Sequence, residues 1–103
     1  MIMNHGSIRD GRAAERRIVG IRAMLREPAG HKFEVDIEDL SLTGFRVHTI
    51  HRLGIGARIW ITIPTFAAMP AEITRADRDV YGCRFVEPLH IAVFDMIAAR
   101  HRA

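Results

Sequence analysis

The sequence is short of cysteine, lysine and aromatic side chains, and each shortage excludes a class of function. Cys83 is the only cysteine, so no intramolecular disulfide forms and no cysteine-based metal site closes. Its setting in Tyr81-Gly82-Cys83-Arg84-Phe85 places it on the apolar side of an alternating segment, where a buried, inert thiol is expected. Aromatic residues make up 7% of the chain. That is too few for the stacking platforms that hold single-stranded nucleic acid, and Phe33, Phe45 and Phe85 read as core instead. No apolar run approaches the ~20 residues that span a bilayer. The opening MIMNHGSIRDGR has no apolar h-region and no cleavage site, so a cytoplasmic protein is expected.

Catalytic signatures are also missing. No nucleophile is paired with a base, no two carboxylates stand out as an acid–base couple, and Gly54-x-Gly56 has no helix after it. No catalytic residue is assigned, and an enzyme is the least favoured reading. Histidines stand at 5, 31, 48, 51, 90 and 101. None gathers a third ligand at a recognised spacing, so neither a metal nor a cofactor is expected.

What is present fits one small domain. A length of 103 residues leaves no room for two domains, and 49% hydrophobic residues can build a core. The formal charge is only +3, modest for a protein that coats nucleic acid. Of the 15 basic residues 14 are arginine, the side chain whose planar fork matches phosphate and guanine edges.

Residues 1–11 are polar and aperiodic and read as a flexible tail, leaving 12–103 as the domain. From Ile18 onward the period is two: Ile21, Ala23 and Leu25; then Phe33, Val35 and Ile37; then Phe45, Val47 and Thr49; then Ile59, Ile61 and Ile63 up to Pro64. Segment 65–70 reads as a loop. Segments 71–76 and 80–86 read as a hairpin turning near Asp77-Arg78-Asp79. Trp60, opposite Ile59 and Ile61 in the alternation, is expected to pack under the helix or a loop. After Pro88 the period turns helical, with Leu89, Val93, Met96 and Ile97 on one face and Arg100, His101 and Arg102 near the end. The pattern predicts a mainly-β, six-stranded antiparallel barrel with one C-terminal helix, since closure removes sheet edges.

Two short motifs carry the chemistry. Arg12-Ala13-Ala14-Glu15-Arg16, followed by Arg17, offers guanidinium forks that converge if the segment coils. Asp39-Leu40-Ser41-Leu42-Thr43-Gly44 lies between two strands, about two dozen residues on. Asp39 and Ser41, two apart, point to one side of an extended chain; a carboxylate there accepts from the N1–H and N2–H of guanine. Gly44 permits a positive φ or a close backbone approach. Together the motifs suit a ligand carrying both phosphate and guanine.

RxxxR followed by DxSxxG, before and early within a small barrel, resembles the PilZ domain family. Gly82 and Phe85 match its late Gly-x-x-Phe strand, and the resemblance covers roughly residues 9–100. It implies a split-barrel fold that binds cyclic di-GMP. On that resemblance Arg12 and Arg16 hold phosphate and guanine, Asp39 and Ser41 read guanine, and Gly44 shapes the turn. Arg17 or Arg9 also comes within reach of the ligand. The implied partners are cyclic di-GMP and a downstream protein that senses ordering of the N-terminal segment. Neither a nucleic-acid polymer nor membrane insertion is expected. The alternative is a PilZ-fold adaptor working through protein contacts alone.

Overall fold

The computed structural model describes residues 15–103. The expected tail over 1–11 and Arg9 and Arg12 lie outside the described residues. Six strands form, each with one apolar face: β1 (Arg17–Arg26), β2 (Lys32–Leu40), β3 (Gly44–His48), β4 (Arg58–Thr62), β5 (Met69–Asp77) and β6 (Val80–Phe85). They pair antiparallel and close into a barrel in the order β1-β2-β3-β6-β5-β4. Each strand thus has a neighbour on both sides, although β1 meets β4 only over Met24–Arg26. The expected six-stranded barrel is the fold observed.

The inward residues are those the alternation picks out. Ile21, Leu25, Ile37, Phe45, Val47, Ile59, Ile61 and Ile73 are all buried, and the rings of Phe45 and Phe85 meet with centroids 4.9 Å apart. Cys83 is buried among them, and burial pushes its thiol up to about 12. Phe33 is half-buried and stacks on His51 at 3.8 Å.

Helix α1 (Ile91–Arg100) seals one end of the barrel with Phe94, Ile97 and Ala98. His90 caps it: Nδ1 accepts the Ala92 N–H at 3.0 Å, filling one of the orphan donors of the first turn. Past the helix, the His101 carbonyl accepts the Gly20 N–H at 2.9 Å and Arg102 bridges Val19. The chain after α1 is thereby tied to the start of β1. Among the described residues no helix is long and apolar enough to cross a membrane.

Two local readings need correction, and a third gains a specific contact. The buried stripe of α1 runs through Phe94 and Ile97, whereas Met96 is exposed. The helix begins at Ile91, so Leu89 does not set its phase. Trp60 is half-buried on the outer face of β4 with the Arg26 guanidinium 4.3 Å from its ring, a cation–π contact. Strand β5 begins at Met69, inside the expected loop, because the Pro70 carbonyl still accepts from Val86 N at 3.0 Å although its nitrogen has no hydrogen to give.

The feature that positions the site is a set of three register shifts. They fall between Ile18 and Ile21 in β1, Ile37 and Asp39 in β2, and Ile73 and Arg75 in β5. A bulge inserts one residue and re-aims the side chains beyond it.

Candidate functional site

Beyond the bulges one cross-strand row runs Ile18, Asp39, Arg46, Gly82, Arg75 across β1, β2, β3, β6 and β5. Directly opposed residues share a face. Arg46 is exposed between buried Phe45 and Val47, and Gly82 sits between buried Tyr81 and Cys83. The row therefore faces outward. Strict alternation from Phe33, Val35 and Ile37, or from Ala71 and Ile73, would send Asp39 and Arg75 into the core. The bulges bring both to the surface.

Asp39 faces outward yet is only 3% exposed, because two guanidiniums lie over it. Its Oδ1 accepts from Arg16 Nη1 at 3.0 Å and its Oδ2 from Arg46 Nη2 at 2.9 Å. A buried carboxylate without such partners is expensive; here each oxygen has a charged donor. The Arg16 side chain is 61% exposed, so this partner can leave for water or a ligand at little cost.

Ser41 is buried and serves its own turn. Its Oγ accepts from Gly44 N at 3.1 Å and Thr43 N at 3.3 Å, while Ser41 N donates to the Gly44 carbonyl at 2.8 Å. Two outside bonds latch the turn: Phe85 N to the Thr43 carbonyl and Leu89 N to the Leu42 carbonyl, both 2.8 Å. Of the two options for Gly44, the close approach applies. Its φ is not positive, and a Cβ there would collide with the Cys83 carbonyl oxygen and lie 3.3 Å from Arg84 Cα. Only a residue without a side chain lets β3 lie this close to β6.

The structure thus joins Arg16 to Asp39 and places Ser41 and Gly44 in the turn just beyond. Arg17 points elsewhere: its Nε donates to Glu15 Oε2 at 2.8 Å and its guanidinium stands 5.8 Å from the Phe94 ring centroid, toward α1. Next to Arg16 opens a cleft of about 530 Å³ lined by Arg46, Thr74, Arg75, Asp77 and Gly82. That volume falls in the range of small-molecule sites, roughly 300–1,000 Å³. Arg46 and Arg75 have no place in the sequence reading, and Gly82 enters it only through the Gly-x-x-Phe resemblance, not as part of the site. The signal for Arg46 was there: it alternates with Phe45 and Val47 and stands two residues past Gly44, which puts it opposite Asp39 once the strands pair. Arg75 had no such signal, because its bulge is silent in the sequence.

With this geometry in place, the comparisons with known proteins decide the family. The PilZ domain family model matches residues 10–99. The chain belongs to the PilZ family. Eight chains among solved structures match it. One is the PilZ domain of CeSA from a cellulose-synthesizing bacterium, at 19% identity and a TM-score of 0.59, covering 84% of this chain and 93% of that one. This second likeness shows the shared fold. The search of curated proteins gave no match. The two segments singled out from the sequence lie just before β1, where Arg16 is described, and from the end of β2 to the start of β3, with Asp39, Ser41 and Gly44.

Proposed function

We propose that this PilZ domain is a non-enzymatic receptor for cyclic di-GMP in the bacterial cytoplasm. One observation carries the reading: a buried carboxylate clasped by Arg16 and Arg46 at the rim of an arginine-lined cleft. Asp39 accepts the N1–H and N2–H of a guanine as Arg16 swings from it to a phosphate, so one charge-assisted contact is exchanged for several. Ser41 adds a hydroxyl beside the carboxylate, and Gly44 holds the turn in place. Arg12 completes the phosphate contacts, and Arg17 joins them only by leaving Glu15 and the Phe94 ring. Each charge-assisted hydrogen bond contributes about 1.5–3 kcal/mol. Micromolar affinity requires only about 8 kcal/mol, which a handful of such contacts reaches after the N-terminal segment is ordered. Because the start of β1 is tied to the residues after α1, that ordering also changes the surface a partner protein meets.

Calorimetric titration of the full chain with cyclic di-GMP tests this. Arg16→Ala and Asp39→Ala should each weaken binding at least tenfold while the barrel stays folded. Unchanged affinity in both variants would refute the site. A second reading, a PilZ adaptor without nucleotide affinity, is favoured by one observation: Arg46 and the Ser41 turn give the motif residues internal work of their own. Absence of heat with the wild-type protein would select it.

A further inference from the structure

The outer row continues past the motif residues, and its far half is built differently. Several outward arginines of this barrel meet a carboxylate: Arg16 and Arg46 on Asp39, Arg22 on Asp36, Arg52 on Asp79, Arg84 on Glu72. Arg75 is exposed on the cleft wall and has no hydrogen-bond or ion-pair partner among the described residues. Beside it, Gly82 leaves a gap in the side-chain layer between Arg46 and Arg75.

That gap is not one the fold needs. A Cβ on Gly82 would meet Arg75 Cβ at 3.4 Å and Thr74 Oγ1 at 3.7 Å, ordinary contacts, and its φ is not positive. This contrasts with Gly44, where backbone packing forbids any side chain. A glycine inside a strand weakens it and commonly marks a place where another group lies close to the backbone. Here Thr74 Oγ1 donates to the Gly82 carbonyl at 3.1 Å, which holds the floor of the gap.

We propose that Gly82, between Arg46 and Arg75, is the floor of a second base position, which takes the other purine of a cyclic dinucleotide. The proposal rests on the cyclic di-GMP reading above. Gly82 is two strand steps from Asp39 and Arg75 is three, roughly 10 and 14 Å at about 4.8 Å per step. With one guanine on Asp39, the other lies flat over the bare Gly82 backbone. Its O6 and N7 acceptors then face the free guanidinium of Arg75, the bidentate match of arginine to guanine. Adenine offers a donor where guanine has O6, so this position discriminates between them.

The test uses the full chain, with cyclic di-GMP and the mixed cyclic GMP–AMP as probes. In the mixed molecule the guanine goes to Asp39 and the adenine is left for Gly82. Wild type should prefer cyclic di-GMP by roughly tenfold or more, within the range one bidentate arginine–guanine pair supplies. Arg75→Ala should weaken cyclic di-GMP about tenfold, leave the mixed probe within about threefold, and so erase the preference. Arg75→Lys, which keeps the charge but loses the fork, should erase most of it too. Gly82→Val, filling the gap, should weaken both probes. Arg75 is at the surface, so its variants report on binding even if Gly82→Val disturbs the strand.

If wild type binds cyclic di-GMP but Arg75→Ala leaves its affinity unchanged, the second position is elsewhere and the Asp39 reading survives. Equal weakening of both probes, with the preference kept, would make Arg75 a mere counter-charge and overturn the proposal. Failure of wild type to bind overturns both.

Discussion

Two glycines on adjacent strands make opposite predictions for the same substitution. In Gly44→Ala the new Cβ enters the space of the Cys83 carbonyl oxygen, with Arg84 Cα 3.3 Å away. Both obstacles are backbone of β6, which cannot rotate aside as a side chain would. Either β3 and β6 separate, stretching the Phe85 N to Thr43 carbonyl bond that latches the turn, or the turn itself shifts. Over-packing a close-packed region costs about 1–3 kcal/mol; with backbone on the far side, the upper half of that range applies. For a domain of this size each kcal/mol moves the melting temperature by roughly 4–8 °C, so Gly44→Ala should melt roughly 8–24 °C below wild type. In Gly82→Ala the nearest atom is 3.4 Å away and belongs to a side chain. The expected change is within about 0.5 kcal/mol of zero, with a small gain available from a stiffer unfolded chain. Scanning calorimetry of the two variants beside wild type gives both numbers. If they melt within about 3 °C of each other, the close-approach account of Gly44 is wrong.

Further expectations rest on single contacts. Ser41→Ala strips the acceptor from the amides of Thr43 and Gly44 inside the turn; an orphaned buried donor costs about 1–3 kcal/mol, visible as a lower urea midpoint at unchanged slope. Arg46→Ala leaves Asp39 with Arg16 alone. As the arginine is half exposed, solvent screens the pair and a loss of only about 1 kcal/mol is expected, checked by the same urea melts. Phe94→Ala opens the end that α1 seals and should cost about 3–5 kcal/mol, read by chemical denaturation. Burial raises the Cys83 thiol to about 12, so the folded state holds a proton that the unfolded chain releases near pH 8.5. Stability from this group is complete below that pH and falls as pH rises toward about 12. Thiolate absorbance appearing near pH 9 in folded protein would contradict the burial.

The barrel was legible because its strands obey one rule for most of their length: Ile21 to Leu25, Phe33 to Ile37 and Ile59 to Ile63 alternate without a fault, and a period of two has only one structural meaning. The motif residues were legible for another reason, the chemistry they imply at a fixed spacing. The pairing of Asp39 with Arg16 and Arg46, however, depends on where that alternation breaks. Read strictly, Asp39 follows Phe33, Val35 and Ile37 onto the core face, and Arg75 follows Ala71 and Ile73 there. Nothing in Ile37-Glu38-Asp39 or Ile73-Thr74-Arg75 announces a bulge, since neither segment holds a glycine or proline. The bulge is a compromise among three strands: β3 and β6 stay in phase, pinned by the contact of Gly44 with Cys83, and β1, β2 and β5 each absorb one residue to keep their hydrophobic halves inside. The charged residues past the slip are then expelled to the surface, because a carboxylate or guanidinium in the core costs more than one lost ladder hydrogen bond. The site thus forms on the outer face as a consequence of core packing, at the level where the hydrophobic pattern of three strands ends.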